Sequence, residues 1–93
     1  MSPKTIKDQK KVPYGKIAGF VALGQLIRAK RVSSGFTLHQ AAGLIGVGPR
    51  FLSEVERGKR SAEMGKVLQV LDRMGIVLWA FPRGEVPRLW NQG

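Results

Sequence analysis

The sequence predicts an all-α protein, a small bundle of four to five helices, with one β-strand near its C-terminal end. Two features of the chain support this fold class. Over residues 18–74, apolar side chains recur at intervals of three and four, which is the period of an amphipathic helix. The run Ile76–Phe81 is different, because all its residues are apolar and many are β-branched or aromatic. At 93 residues, the chain has room for a single domain with a modest core.

Glycines and capping residues indicate where each predicted helix begins and ends. Gly35, Gly58 and Gly75 each follow a periodic stretch and are typical of helix C-termini. Thr37 is expected to cap the second helix, and Ser61 is expected to cap the fourth. The predicted helices cover, in chain order, residues 18–33, 37–45, 49–57 and 61–74.

Residues 37–58 predict two short helices joined by a glycine-marked turn. Gly46 lies where the chain must turn and favours a backbone conformation with positive φ. Gly48 and Pro49 are typical of the cap and first position of a new helix. Ala42 is small at the point where the two helices would cross closely. This is the spacing of a helix-turn-helix, which places its second helix in the major groove of DNA.

The charge of the chain indicates an anionic partner. It carries 16 Lys and Arg against 6 Asp and Glu, a formal net charge of +10, so nucleic acid is the first candidate. The absence of cysteine from the sequence excludes a disulfide scaffold and thiolate metal sites. His39 cannot form a zinc site alone and is expected on a helix surface. No metal and no cofactor are therefore expected.

The sequence does not favour an enzyme. The glycine-rich run Gly43–Gly48 is an unconvincing phosphate loop, because no strand precedes it and no Gly-Lys-Ser/Thr follows it. The chain has no cysteine nucleophile, and Glu54 and Glu56 point in different directions on a helix. Paired acid–base chemistry therefore has no evident site.

The hydropathy of the chain argues against a membrane protein. No apolar run in the sequence approaches the roughly 18 residues that a spanning helix needs. The N-terminal segment lacks the apolar centre of a secretory signal. We therefore expect a cytoplasmic protein with no membrane partner.

Composition divides the chain into three predicted parts. Residues 1–17 are expected to be a disordered basic arm, because they are rich in lysine and poor in apolar residues. Residues 18–81 are expected to form the DNA-binding domain with its C-terminal dimerisation strand, and residues 82–93 a flexible tail. Trp90 in this tail is a candidate for binding a protein partner. The alternative is that Leu89 and Trp90 fold back on the dimer sheet.

The predicted strand Ile76–Phe81 implies a homodimer. An isolated strand leaves its backbone groups unpaired and its apolar faces exposed, and a second copy is the simplest partner. A two-fold dimer with antiparallel pairing of these segments would satisfy both requirements. The alternative is that the segment extends the fourth helix into the core. The residues assigned to dimerisation are Ile76, Val77, Leu78, Trp79, Ala80 and Phe81.

Residues 23–60 resemble the repressor-type (Xre/Cro-like) helix-turn-helix family, which includes phage repressors and many bacterial regulators. The resemblance rests on Gly35-Phe36-Thr37, on Gly46-Val47 in the turn, and on the pattern from Leu52 to Lys59. The continuation through the fourth helix and the strand is similar to HipB-like antitoxins. Such proteins dimerise, bind operator DNA and hold a HipA-like kinase toxin.

This resemblance implies a sequence-specific repressor that autoregulates its operon and neutralises a HipA-like kinase, whole or split into two chains. It also implies a structural ion pair between Arg31 and Glu56. Two departures from the family pattern remove expected DNA contacts: Leu38 stands where Gln is usual, and Gly48-Pro49 replaces a polar pair led by Ser. The alternatives are a repressor without a toxin partner and a non-specific nucleic-acid-binding protein.

Helix geometry assigns base reading to the exposed face of the third helix. The candidates are Arg50, Ser53 and Glu54. The guanidinium of Arg50 can bond O6 and N7 of guanine. Glu54 can accept from N4 of cytosine, or it can pair with Arg50 one turn away. Phe51 is expected in a core or rim contact rather than on a thymine methyl.

Contacts to the phosphate backbone are expected on either side of the reading helix. Arg57, Lys59 and Arg60 cluster just past its end, where this family meets the DNA backbone, and the alternative is a solvated basic face. Thr37, at the start of the second helix, is chiefly a cap. Its hydroxyl can also bond a phosphate.

Overall fold

The computed structural model describes residues 12–85, and over this range the chain forms four α-helices and one short 3-10 helix. The all-α bundle expected from the sequence is confirmed. The helices are α1 (Phe20–Ser33), α2 (Leu38–Ile45), α3 (Pro49–Glu56) and α4 (Met64–Arg73), followed by the 3-10 helix Arg83–Glu85.

Side-chain caps fix the starts of two helices. The Thr37 hydroxyl accepts from the Gln40 amide at 3.2 Å, while the Gln40 side-chain oxygen accepts from the Thr37 amide at 2.9 Å, so α2 begins with a reciprocal capping box. The start predicted for α4 is wrong, because Glu63 and not Ser61 is its cap. The Glu63 carboxylate accepts from two amides, those of Gly65 and Lys66, and its charge suits a helix N-terminus.

The core lies where α1 crosses α3 and where α2 packs against α3 and α4. Its largest fully buried side chains include Ile27, Leu52 and Leu71. The closest crossing is at Gly24 of α1, where an added Cβ would lie 2.4 Å from the Val55 carbonyl oxygen. Only glycine fits between these two helices, so the angle of α3 depends on this contact.

The N-terminal segment next to α1 differs from the expectation of a disordered arm ending at residue 17. Val12 is only 2% exposed and belongs to the core, and Ile17 packs against it. The average composition of residues 1–17 does not reveal this contact, because the contact depends on one buried apolar side chain. Residues 1–11 lie outside the described part of the chain.

The prediction of a strand at Ile76–Phe81 is not supported, since no strand occurs within residues 12–85. The alternative that α4 continues through this segment is also wrong. The helix ends at Arg73, and Gly75 takes the left-handed conformation with φ of 74°. Ile76 then turns back, and its amide donates to the Leu71 carbonyl at 2.9 Å. A strand requires a paired neighbour, which a single chain does not supply here, so pairing between copies stays a prediction.

The tail that follows is described only as far as Glu85. Its first residues form the 3-10 turn, closed by the Glu85 amide donating to the Pro82 carbonyl at 2.9 Å. Trp90 lies outside the described residues. Across residues 12–85, no helix combines the length and the hydropathy needed to cross a membrane.

Candidate nucleic-acid interface

The turn between α2 and α3 is fixed on both sides. Gly46 ends α2 with φ of 90°, as predicted, and its amide donates to the Ala42 carbonyl at 2.9 Å. Pro49 then opens α3 at a position where its missing amide hydrogen costs nothing. From the far side, the Gln69 side-chain nitrogen donates to the Ile45 carbonyl at 3.0 Å. The sequence did not predict this hydrogen bond from α4. Its only sign there is a polar residue within an apolar run.

The structure brings Arg31 and Glu56 together in a largely buried ion pair. The two bonds are Nε to Oε2 at 2.7 Å and Nη2 to Oε1 at 3.0 Å, and the side chains are 12% and 6% exposed. Arg31 also donates from Nη1 to the Phe36 carbonyl at 2.9 Å. The hydrogen bond to Glu56 raises the pKa of Arg31, against the opposing effect of burial. One guanidinium thus joins α1, α3 and the segment leading into α2.

The base-reading candidates on α3 differ in how far they reach into solvent. Arg50 is the most prominent, with 92% of its side chain exposed in the first turn of the helix. Ser53 is half-buried one turn later. Leu52 and Val55 point into the core as expected. The exposed face of α3 is therefore dominated by one guanidinium.

The Glu54 carboxylate forms ion pairs with two neighbouring cations. Its Oε2 lies 3.3 Å from the Lys59 Nζ and 3.8 Å from the Arg50 Nε. The Lys59 amide also donates to the Glu54 carbonyl at 3.0 Å, which brings the lysine back beside the helix. Of the two roles considered for Glu54, the geometry matches the ion pair with Arg50 and adds Lys59 to it.

The basic segment after α3 is pressed against α1. An added Cβ on Gly58 would lie 2.8 Å from the Cα of Val21, so the chain approaches the first helix backbone closely there. On either side of this glycine, Arg57, Lys59 and Arg60 are exposed. The close contact at Gly58 thus determines the path of the backbone that carries these three cations away from α3.

At the start of α2, Thr37 keeps one hydrogen-bonding function free. Its hydroxyl oxygen accepts from the Gln40 amide, so the hydroxyl hydrogen remains able to donate to a phosphate oxygen. The neighbouring Leu38 is half-buried against the core, and His39 is exposed. The capping box therefore does not prevent Thr37 from contacting DNA.

A further cation lies beside the first turn of α3. The Lys66 Nζ is 5.6 Å from the centroid of the Phe51 ring, within range of a cation–π contact. Phe51 packs on the rim of the core, as expected. Lys66 was missed in the sequence because its position beside α3 depends on how α4 packs. Within residues 12–85, no cluster of His, Asp or Glu is arranged to hold a metal ion.

Comparison with known proteins agrees with this geometry. Residues 22–76, which contain all four helices except the first two residues of α1, match the family described as the helix-turn-helix domain. The chain is also similar to an uncharacterized HTH-type transcriptional regulator, y4mF, of Sinorhizobium fredii (strain NBRC 101917 / NGR234). The two are 40% identical over 63 residues, which make up 68% of this chain and 83% of that relative. The chain therefore belongs to the helix-turn-helix domain family.

Proposed function

We propose that this protein is a DNA-binding transcriptional regulator that recognises a specific duplex as a dimer and represses transcription from it. The observation that carries the proposal is the exposed guanidinium of Arg50 on an α3 whose position is fixed from three sides. Gly24 sets the crossing with α1, the Arg31–Glu56 pair ties the far end, and Gln69 holds the turn. The name of the relative y4mF points in the same direction.

Recognition would begin with α3 in the major groove. Arg50 offers two terminal nitrogens in a fork that matches O6 and N7 of guanine, a contact worth about 1–3 kcal/mol of discrimination. Ser53 is close enough along the helix to contact the next base. Arg57, Arg60 and the Thr37 hydroxyl would bond phosphates and so set the register of the helix.

Dimerisation is proposed through the apolar segment that follows α4. Val77 is 74% exposed and Trp79 is 71% exposed, and the rings of Trp79 and Phe81 stack at 6.1 Å between centroids. The segment borders a groove of about 1150 Å³ whose other wall includes Tyr14 and Ile17. Contiguous exposed apolar surface of this kind marks an interaction site. A two-fold pair would present two recognition helices to half-sites about one helical turn apart.

We further propose that the regulator is the antitoxin of a HipA-like kinase. The support is the resemblance of α4 and the apolar segment to HipB-like antitoxins, and the exposed surface that a second protein could cover. Trp90 is retained as the candidate anchor for the kinase, although it lies outside the described residues. Purification of the tagged protein from its native host should recover a kinase. Recovery of the protein without any kinase chain would favour a repressor acting alone.

DNA recognition is tested by selecting duplexes from a random library and comparing their affinity with that of random DNA. Arg50→Ala should lose roughly 10- to 100-fold of discrimination at one base pair of each half-site. Arg73→Ala is the matched control, because Arg73 ends α4, about 10 Å along the helix axis from Lys66, which lies beside α3. Equal affinity of the parent protein for selected and random duplexes would contradict the proposal and favour non-specific binding.

A further inference from the structure

We propose that Glu54 is a specificity-determining residue that acts on the cations around it and not on a base. Its carboxylate orients Arg50 and restrains Lys59, which lowers the affinity of the protein for DNA of arbitrary sequence. The inference rests on the proposed function, since it requires α3 to read a duplex.

The first step is the position of the carboxylate. Glu54 Oε2 is shared by two cations, at 3.3 Å from Lys59 Nζ and 3.8 Å from Arg50 Nε. The Glu54 side chain is 22% exposed, whereas that of Arg50 is 92% exposed. A base edge approaching α3 therefore meets the guanidinium before the carboxylate.

The second step is the nitrogen of Arg50 that lies nearest to the carboxylate. It is Nε, the nitrogen closest to the side-chain stem, and at 3.8 Å the contact is an ion pair without a hydrogen bond. An approach through Nε leaves both terminal nitrogens free, and these are the donors that bond O6 and N7 of guanine. Glu54 thus positions the base reader without competing for its reading atoms.

The third step concerns charge. Sequence-independent binding grows with the number of cations that neutralise phosphates. Lys59 is paired with Glu54, while Arg57 and Arg60 form no ion pair with any acid within residues 12–85. The carboxylate repels phosphates and occupies Lys59, so it subtracts from binding to every duplex. The specificity ratio rises only because Glu54 also orients Arg50 toward guanine, a contact that a duplex without that guanine does not offer.

The test uses the full chain with Glu54→Gln, which keeps the shape of the side chain and removes its charge. Asp72→Asn is the control, because it makes the same change of charge at an exposed site near the end of α4. Affinities for a selected and a random duplex are measured over a salt series. Circular dichroism and chemical denaturation establish that both variants are folded.

Glu54→Gln should bind the random duplex about three- to ten-fold more tightly, with the slope of log affinity against log salt steeper by about 0.9, as one extra phosphate contact predicts. The selected duplex should gain less, because Arg50 loses its orientation, so the specificity ratio falls. Asp72→Asn should leave the ratio unchanged. Adding Lys59→Gln to the Glu54→Gln chain should remove most of the gain on random DNA, because Lys59 is the cation released.

Two results would overturn the inference in distinguishable ways. If Glu54→Gln leaves affinity for random DNA unchanged and loses a preference for one cytosine, Glu54 reads a base and the proposed role is wrong. If the parent protein shows no preference between the selected and random duplexes, the proposed function fails, and the role of Glu54 in specificity fails with it.

Discussion

The helix-turn-helix and the segment after α4 differ in how far their side chains are buried or paired within one chain. From α2 to the end of α3, helix ends are capped or closed by glycine, and a buried ion pair joins α3 to α1. From Val77 to Trp79, large apolar side chains lie mostly in solvent, anchored by Ile76 alone in the core. Both stretches are short, but the apolar side chains of the first are mostly buried within one chain, whereas those of the second are mostly exposed.

This difference separates the surface proposed to bind DNA from the surface proposed to bind protein. The proposed DNA-binding surface is polar, and its backbone geometry is set within one chain, which reduces the cost of ordering on binding. The apolar segment carries surface that is costly to leave in water. Substitutions in the first region should therefore change the stability of the chain, and those in the second should change its association.

The largest loss of stability is expected from breaking the buried ion pair. Glu56→Ala leaves the Arg31 guanidinium without its carboxylate and should lower the free energy of unfolding by about 3–5 kcal/mol. Because the pair raises the pKa of Arg31, the part of this contribution that depends on the charge of Arg31 is present at neutral pH and is lost as pH rises through the raised value. Urea titration near neutral pH measures the loss, with exposed Asp72→Asn as control. An unfolding midpoint equal to that of the parent would show that the pair is not needed.

A smaller loss is expected at the crossing of α1 and α3. Gly24→Ala places a Cβ against the Val55 and Glu56 carbonyl oxygens and should cost about 1–3 kcal/mol, because both helix backbones must separate. The matched control is Gly43→Ala in α2, where an added Cβ meets nothing within 4 Å. That change should stabilise the chain by about 0.5–1 kcal/mol, since alanine is the better helix former. Two changes of the same sign would contradict the close crossing.

Removing the cap of α2 should cost less again. Thr37→Ala deletes the hydroxyl that accepts from the Gln40 amide and should lower stability by about 1 kcal/mol. Thr37→Ser keeps the hydroxyl and should restore most of it. Thermal unfolding of the parent, Thr37→Ala and Thr37→Ser shows whether the hydroxyl stabilises the helix. If Ser and Ala destabilise the chain equally, the hydroxyl is not the cause.

The smallest effect on stability, and the largest on association, is expected in the apolar segment. Trp79→Ser should change the free energy of unfolding of the monomer by no more than about 0.5 kcal/mol, because the side chain is mostly in solvent. It should weaken the proposed dimer in light scattering, as should Leu78→Pro, which removes a backbone donor. Leu44→Ser, at an exposed apolar site on α2, is the control. A dimer of undiminished affinity in both variants would exclude this segment from the interface.

Much of the bundle was predictable because its boundaries depend on neighbouring residues. The structural roles of Thr37, Gly46 and Pro49 depend only on residues close in sequence. The two helices of the motif could therefore be predicted from local chemistry. The α4 cap was misplaced because Ser61 and Glu63 are both able to cap. The choice depends on which side chain reaches two amides, and Glu63 does.

The features that could not be predicted all depend on distant contacts. Gly24 gives no local sign that the carbonyls of α3 lie against it. Gln69 is a polar residue in an apolar run, which does not indicate that it bonds the turn. Lys66 lies beside Phe51 only after α4 has packed. The run Ile76–Phe81 predicts burial correctly for Ile76, but hydropathy cannot specify whether the covering surface comes from the same chain.

The hydrogen bond from Gln69 to Ile45 has a consequence for communication between the two surfaces. Through this bond α4 holds the end of α2, and through the Leu71 carbonyl the same helix holds Ile76. If a protein that binds the apolar segment displaced α4, the Ile45 carbonyl would lose this donor, and the turn before α3 would lose one of its supports. If that loss changed the affinity for DNA, thermodynamic linkage would require DNA to change the affinity for that protein by the same factor. The two surfaces are thus connected through one ten-residue helix.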